Sequence, residues 1–133
     1  MPSGPPTTHD SRTLLVDALV VHGKQLAEQL NRAGFRTDLA VSWRAATAAL
    51  AQNYYHSCIV VADLDRAADL EHLDTLRRAA LRVWIIVLSD LQPESALILA
   101  HRQGIDAVLA TPFSVQDPTS RIAAFSLRAR PAF

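Results

Sequence analysis

Residues 57–63 read SCIVVAD, an apolar run that ends in an acidic residue. The run is too short for a helix, and its lack of polar alternation predicts a strand over Ser57–Ala62 that is buried on both faces. Four further segments have the same character, namely Thr13–Val16, Phe35–Val41, Val83–Leu88 and Ala107–Ala110. Strands of this kind are typical of parallel sheets whose two faces are covered by helices.

Segments with helical spacing of apolar residues separate these strands. Helices are predicted over Val20–Ala33, Trp43–Gln52, Arg66–Ala80, Pro93–Gly104 and Ser114–Arg128. Ser42 is the expected N-cap of the second helix, and Gly34 is the expected C-cap of the first. Because crossovers between parallel strands are right-handed, the pattern predicts a doubly wound (βα)5 fold, a three-layer sandwich with a five-stranded parallel sheet in the middle.

The length of the chain fits one domain, since 133 residues lie near the usual size of a single folded unit. Hydrophobic residues make up 50% of the chain and charged residues 20%, which is a globular balance. We expect a flexible N-terminal arm over residues 1–11, a folded domain over residues 12–128 and a short C-terminal tail over residues 129–133.

Composition excludes several classes of function. Lys and Arg number 13 and Asp and Glu number 13, so no basic excess points to nucleic acid or to an anionic membrane surface. The single cysteine, Cys58, excludes an intramolecular disulfide and a cysteine-built zinc site. No apolar run approaches the roughly 18 residues of a membrane span, and residues 1–11 lack the apolar region of a secretory signal. We therefore expect a cytoplasmic protein.

Polar residues follow four of the five predicted strands. Asp17 follows the first strand, Asp63 the third, Ser89 the fourth and Thr111 the fifth. Ligands of open α/β sheets bind at the carboxyl ends of the strands. Two carboxylates and two hydroxyls are therefore expected to face one crevice.

These residues and their spacing resemble the receiver domain of two-component response regulators, the CheY-like family. The resemblance covers about residues 12–127 and rests on the segments LLVDA, CIVVADLD, IIVLSD, RQGIDAVL and LATPF. It implies a flavodoxin-like fold of five parallel strands and five helices. It also implies transfer of a phosphoryl group from a histidine kinase to Asp63, with the help of Mg²⁺.

The chain departs from that family at several functional positions. Ala18 stands where the family usually has a second acid, Thr111 replaces a lysine, and Val108 replaces a switch aromatic. The proline–glycine loop after the acceptor is also absent. Phosphoryl transfer depends on positioning and charge neutralisation, so the loss of a metal ligand and a cation indicates a degenerate receiver, a pseudo-receiver. Ser89 and Thr111 are the switch candidates, and Ser89 keeps the family's hydroxyl.

The remaining candidates for Mg²⁺ ligands are Asp17, Asp63 and Asp65. Asp65 offers a carboxylate where the family uses a backbone carbonyl. Because Mg²⁺ needs several oxygen ligands, the expected binding is weak, and the most economical expectation is that no cofactor is used. Simpler roles stay open: Asp17 could stabilise the start of the first helix through the helix dipole, and Asp63 could carry no chemistry.

The predicted fourth helix contains three consecutive large apolar residues, Leu97, Ile98 and Leu99. A helix that buries one stripe cannot bury three consecutive positions, because each residue turns the helix by about 100°. By the resemblance, the inward positions are Ile98 and His101, which leaves Leu97 and Leu99 as an exposed interaction surface. The alternative is a rotated helix, or one covered by the tail.

The sequence thus predicts a non-enzymatic signalling module that binds proteins through its fourth helix, fifth strand and fifth helix. The partner would be a foreign protein, a histidine kinase or a second copy of the chain. The first alternative is a working receiver that accepts a phosphoryl group on Asp63 with weakened Mg²⁺ binding. The second is an enzyme with its own substrate, which the single glycine of VDALVVHGK does not favour, because phosphate-binding loops are glycine-rich.

Overall fold

The computed structural model describes residues 12–89, 98 and 101–110. The strands are β1 (Thr13–Val16), β2 (Thr37–Ala40), β3 (Ser57–Val61), β4 (Trp84–Ser89) and β5 (Ala107–Ala110). The helices with described bounds are α1 (Val20–Arg32), α2 (Trp43–Gln52) and α3 (Ala67–Ala79). Residues 98, 101 and 102, between β4 and β5, are also helical. The predicted fifth helix and both predicted terminal segments lie outside the described residues.

All five strands pair in parallel in the order β2-β1-β3-β4-β5. This is the order of the flavodoxin-like doubly wound fold, so the predicted fold class is confirmed. The strand order reverses between β1 and β3, where Val16 is paired with Val60. A crevice for ligands is expected beyond the carboxyl ends of these two strands.

The sheet is buried on both faces, which explains the absence of polar alternation in its strands. One core combines Leu14, Val16, Val60, Ile85 and Val87 with Ala46, Leu50, Leu73 and Leu76 of α2 and α3. The other core combines Leu15, Ile59, Ile86 and Leu88 with Leu26 and Leu30 of α1. Successive strand residues point to opposite faces, so each strand contributes to both cores. Within the described residues, no helix is long and apolar enough to cross a membrane.

The two predicted helix caps are confirmed, and one of them corrects a predicted strand boundary. The Ser42 hydroxyl accepts the backbone N–H of Ala45 at 3.0 Å. Gly34 has a φ of +97°, and the N–H of Phe35 donates to the carbonyl of Leu30 at 3.0 Å. This pairing is that of a Schellman motif. Because the motif uses Phe35 to close α1, β2 begins at Thr37 and not at Phe35.

Arg77 connects the end of α3 to the amino ends of β4 and β5. Its guanidinium donates to the carbonyls of Gly104 at 3.1 Å and Val83 at 2.8 Å, and to Asp106 Oδ2 at 3.0 Å. Arg77 is only 7% exposed. Nothing in the sequence pattern had marked this residue, although it links elements far apart along the chain.

A second polar cluster lies at the same amino-terminal edge of the sheet. Asp38 Oδ2 accepts bonds from the Tyr55 hydroxyl at 2.7 Å and from the Arg12 guanidinium at 2.9 Å. Burial and the bond to Asp38 raise the pKa of Tyr55 to about 12. This cluster lies at the opposite edge from the predicted functional residues, so it stabilises the fold without contributing to their site.

Candidate functional site

The carboxyl edge of the sheet brings together three of the four predicted strand-end residues. Asp17 directly follows β1, Asp63 lies two residues beyond β3, and Ser89 is the last residue of β4. These strands are parallel neighbours in the sheet, so the three residues share one edge. Thr111 lies outside the described residues, one position after the end of β5.

Asp17 is buried and its two carboxylate oxygens are both engaged. Its side chain is 1% exposed. Oδ1 accepts the backbone N–H of Leu19 at 2.9 Å, and Oδ2 is hydrogen-bonded to Nδ1 of His22. Since a carboxylate has no proton to donate, the imidazole Nδ1–H is the donor. Both contacts come from the beginning of α1, in agreement with the alternative that Asp17 stabilises that end of the helix.

His22 is a site residue that the sequence interpretation missed. It lies on the first turn of α1, and its side chain is 49% exposed. The five histidines of the chain looked scattered because no pair had the spacing of metal ligands. A different feature of the sequence could have indicated His22. When a helix directly follows a strand, side chains of its first turn can reach the acid at the end of that strand.

Asp63 lies in an exposed turn, held by two contacts. Its Oδ1 accepts the N–H of Asp65 at 2.9 Å, and its own N–H donates to Asp69 Oδ2 at 2.8 Å. Asp69 belongs to the first turn of α3, where an acid is favoured by the helix dipole. Asp63 and Asp65 are both exposed. The two carboxylates are thus accessible, and the turn that carries them is held by the side chain of Asp63 and by that of Asp69 on α3.

The other predicted residues of this region have mixed outcomes. Ser89 is buried, at 2% exposure, and Val108 packs partly buried against the core. Cys58 is fully buried, and burial raises the pKa of its thiol to about 12, which makes it inert core. Leu97 and Leu99 lie outside the described residues.

The predicted rotation of the fourth helix is wrong at the positions that the structure describes. Ile98 is 51% exposed, and His101 is also exposed. The resemblance had placed both residues on the inward face. Ile98, the middle residue of the three-residue apolar run, is therefore not buried.

At this edge the carboxylate of Asp17 is already engaged by the chain, which limits what the described residues offer to Mg²⁺. Mg²⁺ needs near-octahedral oxygen ligands, and the resemblance described above implies that acids at this edge would supply them. Both oxygens of Asp17 already accept hydrogen bonds, and Ala18 has no carboxylate. Within residues 12–89, 98 and 101–110, no group of three or more His, Cys, Asp or Glu side chains is placed to hold a metal ion.

The surface beside Asp17 is apolar. Leu19 and Val21 are 67% and 71% exposed, and Val20 and Val41 are also exposed. Val41 follows β2, and the backbone of the preceding Ala40 accepts the N–H of Asp17 at 3.0 Å. We call Leu19, Val20, Val21 and Val41 the apolar rim. Its exposure shows that the carboxyl edge carries aliphatic side chains directly beside a buried acid.

No family model and no curated protein sequence matches the chain. Solved structures do match. The Francisella response regulator 1452 receiver domain aligns with a TM-score of 0.78 and 20% identity over 88% of this chain and 97% of that chain. HP1043, an orphan response regulator of H. pylori, aligns with a TM-score of 0.74 and 24% identity over 90% of this chain and 98% of that chain. An adenylate cyclase from Rhodopirellula baltica aligns with a TM-score of 0.78 and 19% identity over 89% of this chain and 88% of that chain. The chain thus has the fold of response regulator receiver domains.

Proposed function

We propose that this chain is a degenerate receiver domain that acts in the cytoplasm as a signalling protein-interaction module and not as an enzyme. The observation that carries the proposal is the apolar rim beside Asp17, in which Leu19 and Val21 are more than half exposed. Phosphoryl transfer needs charged groups and a metal around the acceptor, whereas clustered exposed aliphatic residues favour contact with another protein.

The second candidate is a working receiver that accepts a phosphoryl group on Asp63 from a histidine kinase. The exposure of Asp63 at the carboxyl edge favours it, because a phosphodonor could reach this carboxylate. Against it stand Ala18 and Thr111, which supply neither a second metal ligand nor a cation. A phosphoryl group on Asp63 would therefore lack a charge-assisted partner at position 111.

Exposure to acetyl phosphate and Mg²⁺ separates the two candidates. We expect little or no increase in the intact mass of the unmodified chain, because the charge of the phosphoryl group is not neutralised. The matched control is Asp63→Asn, which keeps the size of the side chain and removes the acceptor oxygen. Stoichiometric labelling that disappears in the control would establish the working receiver and overturn the degenerate one.

The proposed partner surface is the face formed by the fourth helix, the fifth strand and the fifth helix. Leu97 and Leu99 are its proposed contact residues, and Ile98 between them is an exposed apolar residue of the same helix. The partner is a foreign protein or a second copy of the chain. The balanced charge of the chain removes the long-range repulsion that would oppose a homodimer.

The double substitution Leu97→Glu with Leu99→Glu should abolish self-association measured by sedimentation, without loss of the folded state. Covering two leucines completely is worth about 3 to 6 kcal/mol, of which association entropy cancels a large part. Leu81→Glu is the control, since it adds a charge to an exposed aliphatic position that belongs neither to the apolar rim nor to this face. Unfolding of the double variant would place these leucines in the core, and a monomeric parent chain would exclude the homodimer.

An enzymatic role is the third candidate. One structure with this fold is an adenylate cyclase, but an identity of 19% does not carry an activity to this chain. Stable binding of a nucleotide by the purified protein would favour this candidate over the interaction module.

A further inference from the structure

We infer that His22 takes the place of a divalent cation beside Asp17, so that the chain itself occupies the carboxylate oxygen that a cation would bind. The inference rests on the proposed degenerate function and extends it, because it assigns the loss of metal binding to a residue that is present as well as to the acid that is missing. Restoring an acid at position 18 would then not be sufficient to restore a metal site.

The contacts of Asp17 carry the first step. Its side chain is 1% exposed, so its oxygens are covered by neighbouring groups of the chain. Oδ1 accepts the Leu19 N–H at 2.9 Å, and Oδ2 accepts from His22 Nδ1. A cation that bound Oδ2 would have to displace the imidazole and leave Nδ1–H without this acceptor.

The packing of α1 carries the second step, because it explains why the imidazole reaches the acid. A Cβ atom added at Gly23 would lie 2.9 Å from Leu39 Cδ1 and 3.2 Å from Asp17 Cβ. The first turn of α1 therefore lies directly against the carboxyl ends of β1 and β2. His22, the neighbour of Gly23, is brought to Asp17 by this close approach.

The exposure of the imidazole carries the third step. His22 is 49% exposed, so replacing it does not open a buried cavity in the core. Substitution at this position can therefore uncover Oδ2 while the sheet and both cores remain packed. This makes His22 a separable element of the site, distinct from the missing acid at position 18.

The test compares the unmodified chain and three variants by titration with Mn²⁺ and Mg²⁺, with binding measured calorimetrically. The variants are Ala18→Asp alone, Ala18→Asp with His22→Leu, and Ala18→Asp with His22→Asn. Leucine keeps bulk and removes the donor. Asparagine keeps an N–H donor the same number of bonds from Cα as Nδ1, so it is the matched control. We expect the leucine variant to bind the cation about tenfold or more tightly than the other two, since the competing bond involves a charged group.

The outcomes separate the inference from the proposed function. Equal affinity in the three variants would overturn the role of His22 and leave the degenerate function standing. Tight binding of Mg²⁺ by the unmodified chain would overturn the degenerate function and the inference together. If the leucine variant is too unstable for calorimetry, its thermal unfolding with and without Mn²⁺ replaces the titration. A metal-dependent rise in Tm larger than that of the asparagine variant then supports the inference, and an equal rise overturns it.

Discussion

Replacing Arg77 with methionine should lower the free energy of unfolding by about 3 to 5 kcal/mol, because removing one partner of a buried ion pair leaves the other without its counter-charge. The Arg77–Asp106 pair is nearly buried, with side chains 9% and 13% exposed. The same guanidinium donates to the carbonyls of Val83 and Gly104, which the methionine thioether cannot replace. Urea unfolding followed by far-UV circular dichroism measures the change.

Arg78→Met is the matched control, since it removes the same charge from the next position of the same helix. Arg78 pairs with Asp74, but the arginine side chain is 79% exposed. An exposed pair of this kind is worth about 0.3 to 0.5 kcal/mol. Similar losses in the two variants would contradict the assignment of Arg77 as the connection between α3, β4 and β5.

Gly104→Ala should lower the free energy of unfolding by about 2 to 4 kcal/mol, and Gly34→Ala by about 1 to 2 kcal/mol. The two losses should differ even though both glycines have a positive φ. Their φ values are +80° and +97°. A Cβ at Gly104 would lie 3.2 Å from Arg77 Nε and 3.3 Å from Arg77 Cγ, whereas a Cβ at Gly34 meets nothing within 4 Å. The difference arises because Arg77 is held by its hydrogen bonds and cannot move away.

Thermal and urea unfolding of the two alanine variants provide the measurement. Each variant places an alanine in a left-handed backbone conformation, which destabilises both proteins. The difference between the two losses of unfolding free energy therefore isolates the crowding against Arg77. A loss at Gly34 equal to or larger than that at Gly104 would show that this crowding is negligible. In an Arg77→Met background the two losses should converge, because methionine lacks the hydrogen bonds that hold Arg77 in place and can move away from the new methyl group.

The sequence interpretation located the elements well where a local rule decides them. It predicted β1, β5 and α2 with the bounds that the structure has, since apolar runs and the Ser42 cap depend on neighbouring residues. The rotation of the fourth helix was wrong. Ile98 and His101 are both exposed. The prediction failed because three adjacent apolar residues leave the buried side of a helix ambiguous.

The site was predicted in part. The shared edge of Asp17, Asp63 and Ser89 follows from strand order, which alternating strands and helices restrict strongly. The hydrogen-bond partners of these residues could not be predicted from the strand order. His22 and Asp69 reach Asp17 and Asp63 only through the way α1 and α3 lie against the sheet.

The sequence by itself determined the parallel sheet, the doubly wound class and the edge that carries the acids, because all three depend on burial patterns that repeat along the chain. Only the tertiary structure decided which groups bind the carboxylate of Asp17 and which residue joins α3 to β4 and β5. The reason is physical: a hydrogen bond is set within tenths of an ångström by the packing of distant segments. A pattern of apolar and polar residues specifies which face of an element is buried. It does not specify the distances between side chains on segments that are far apart in the sequence.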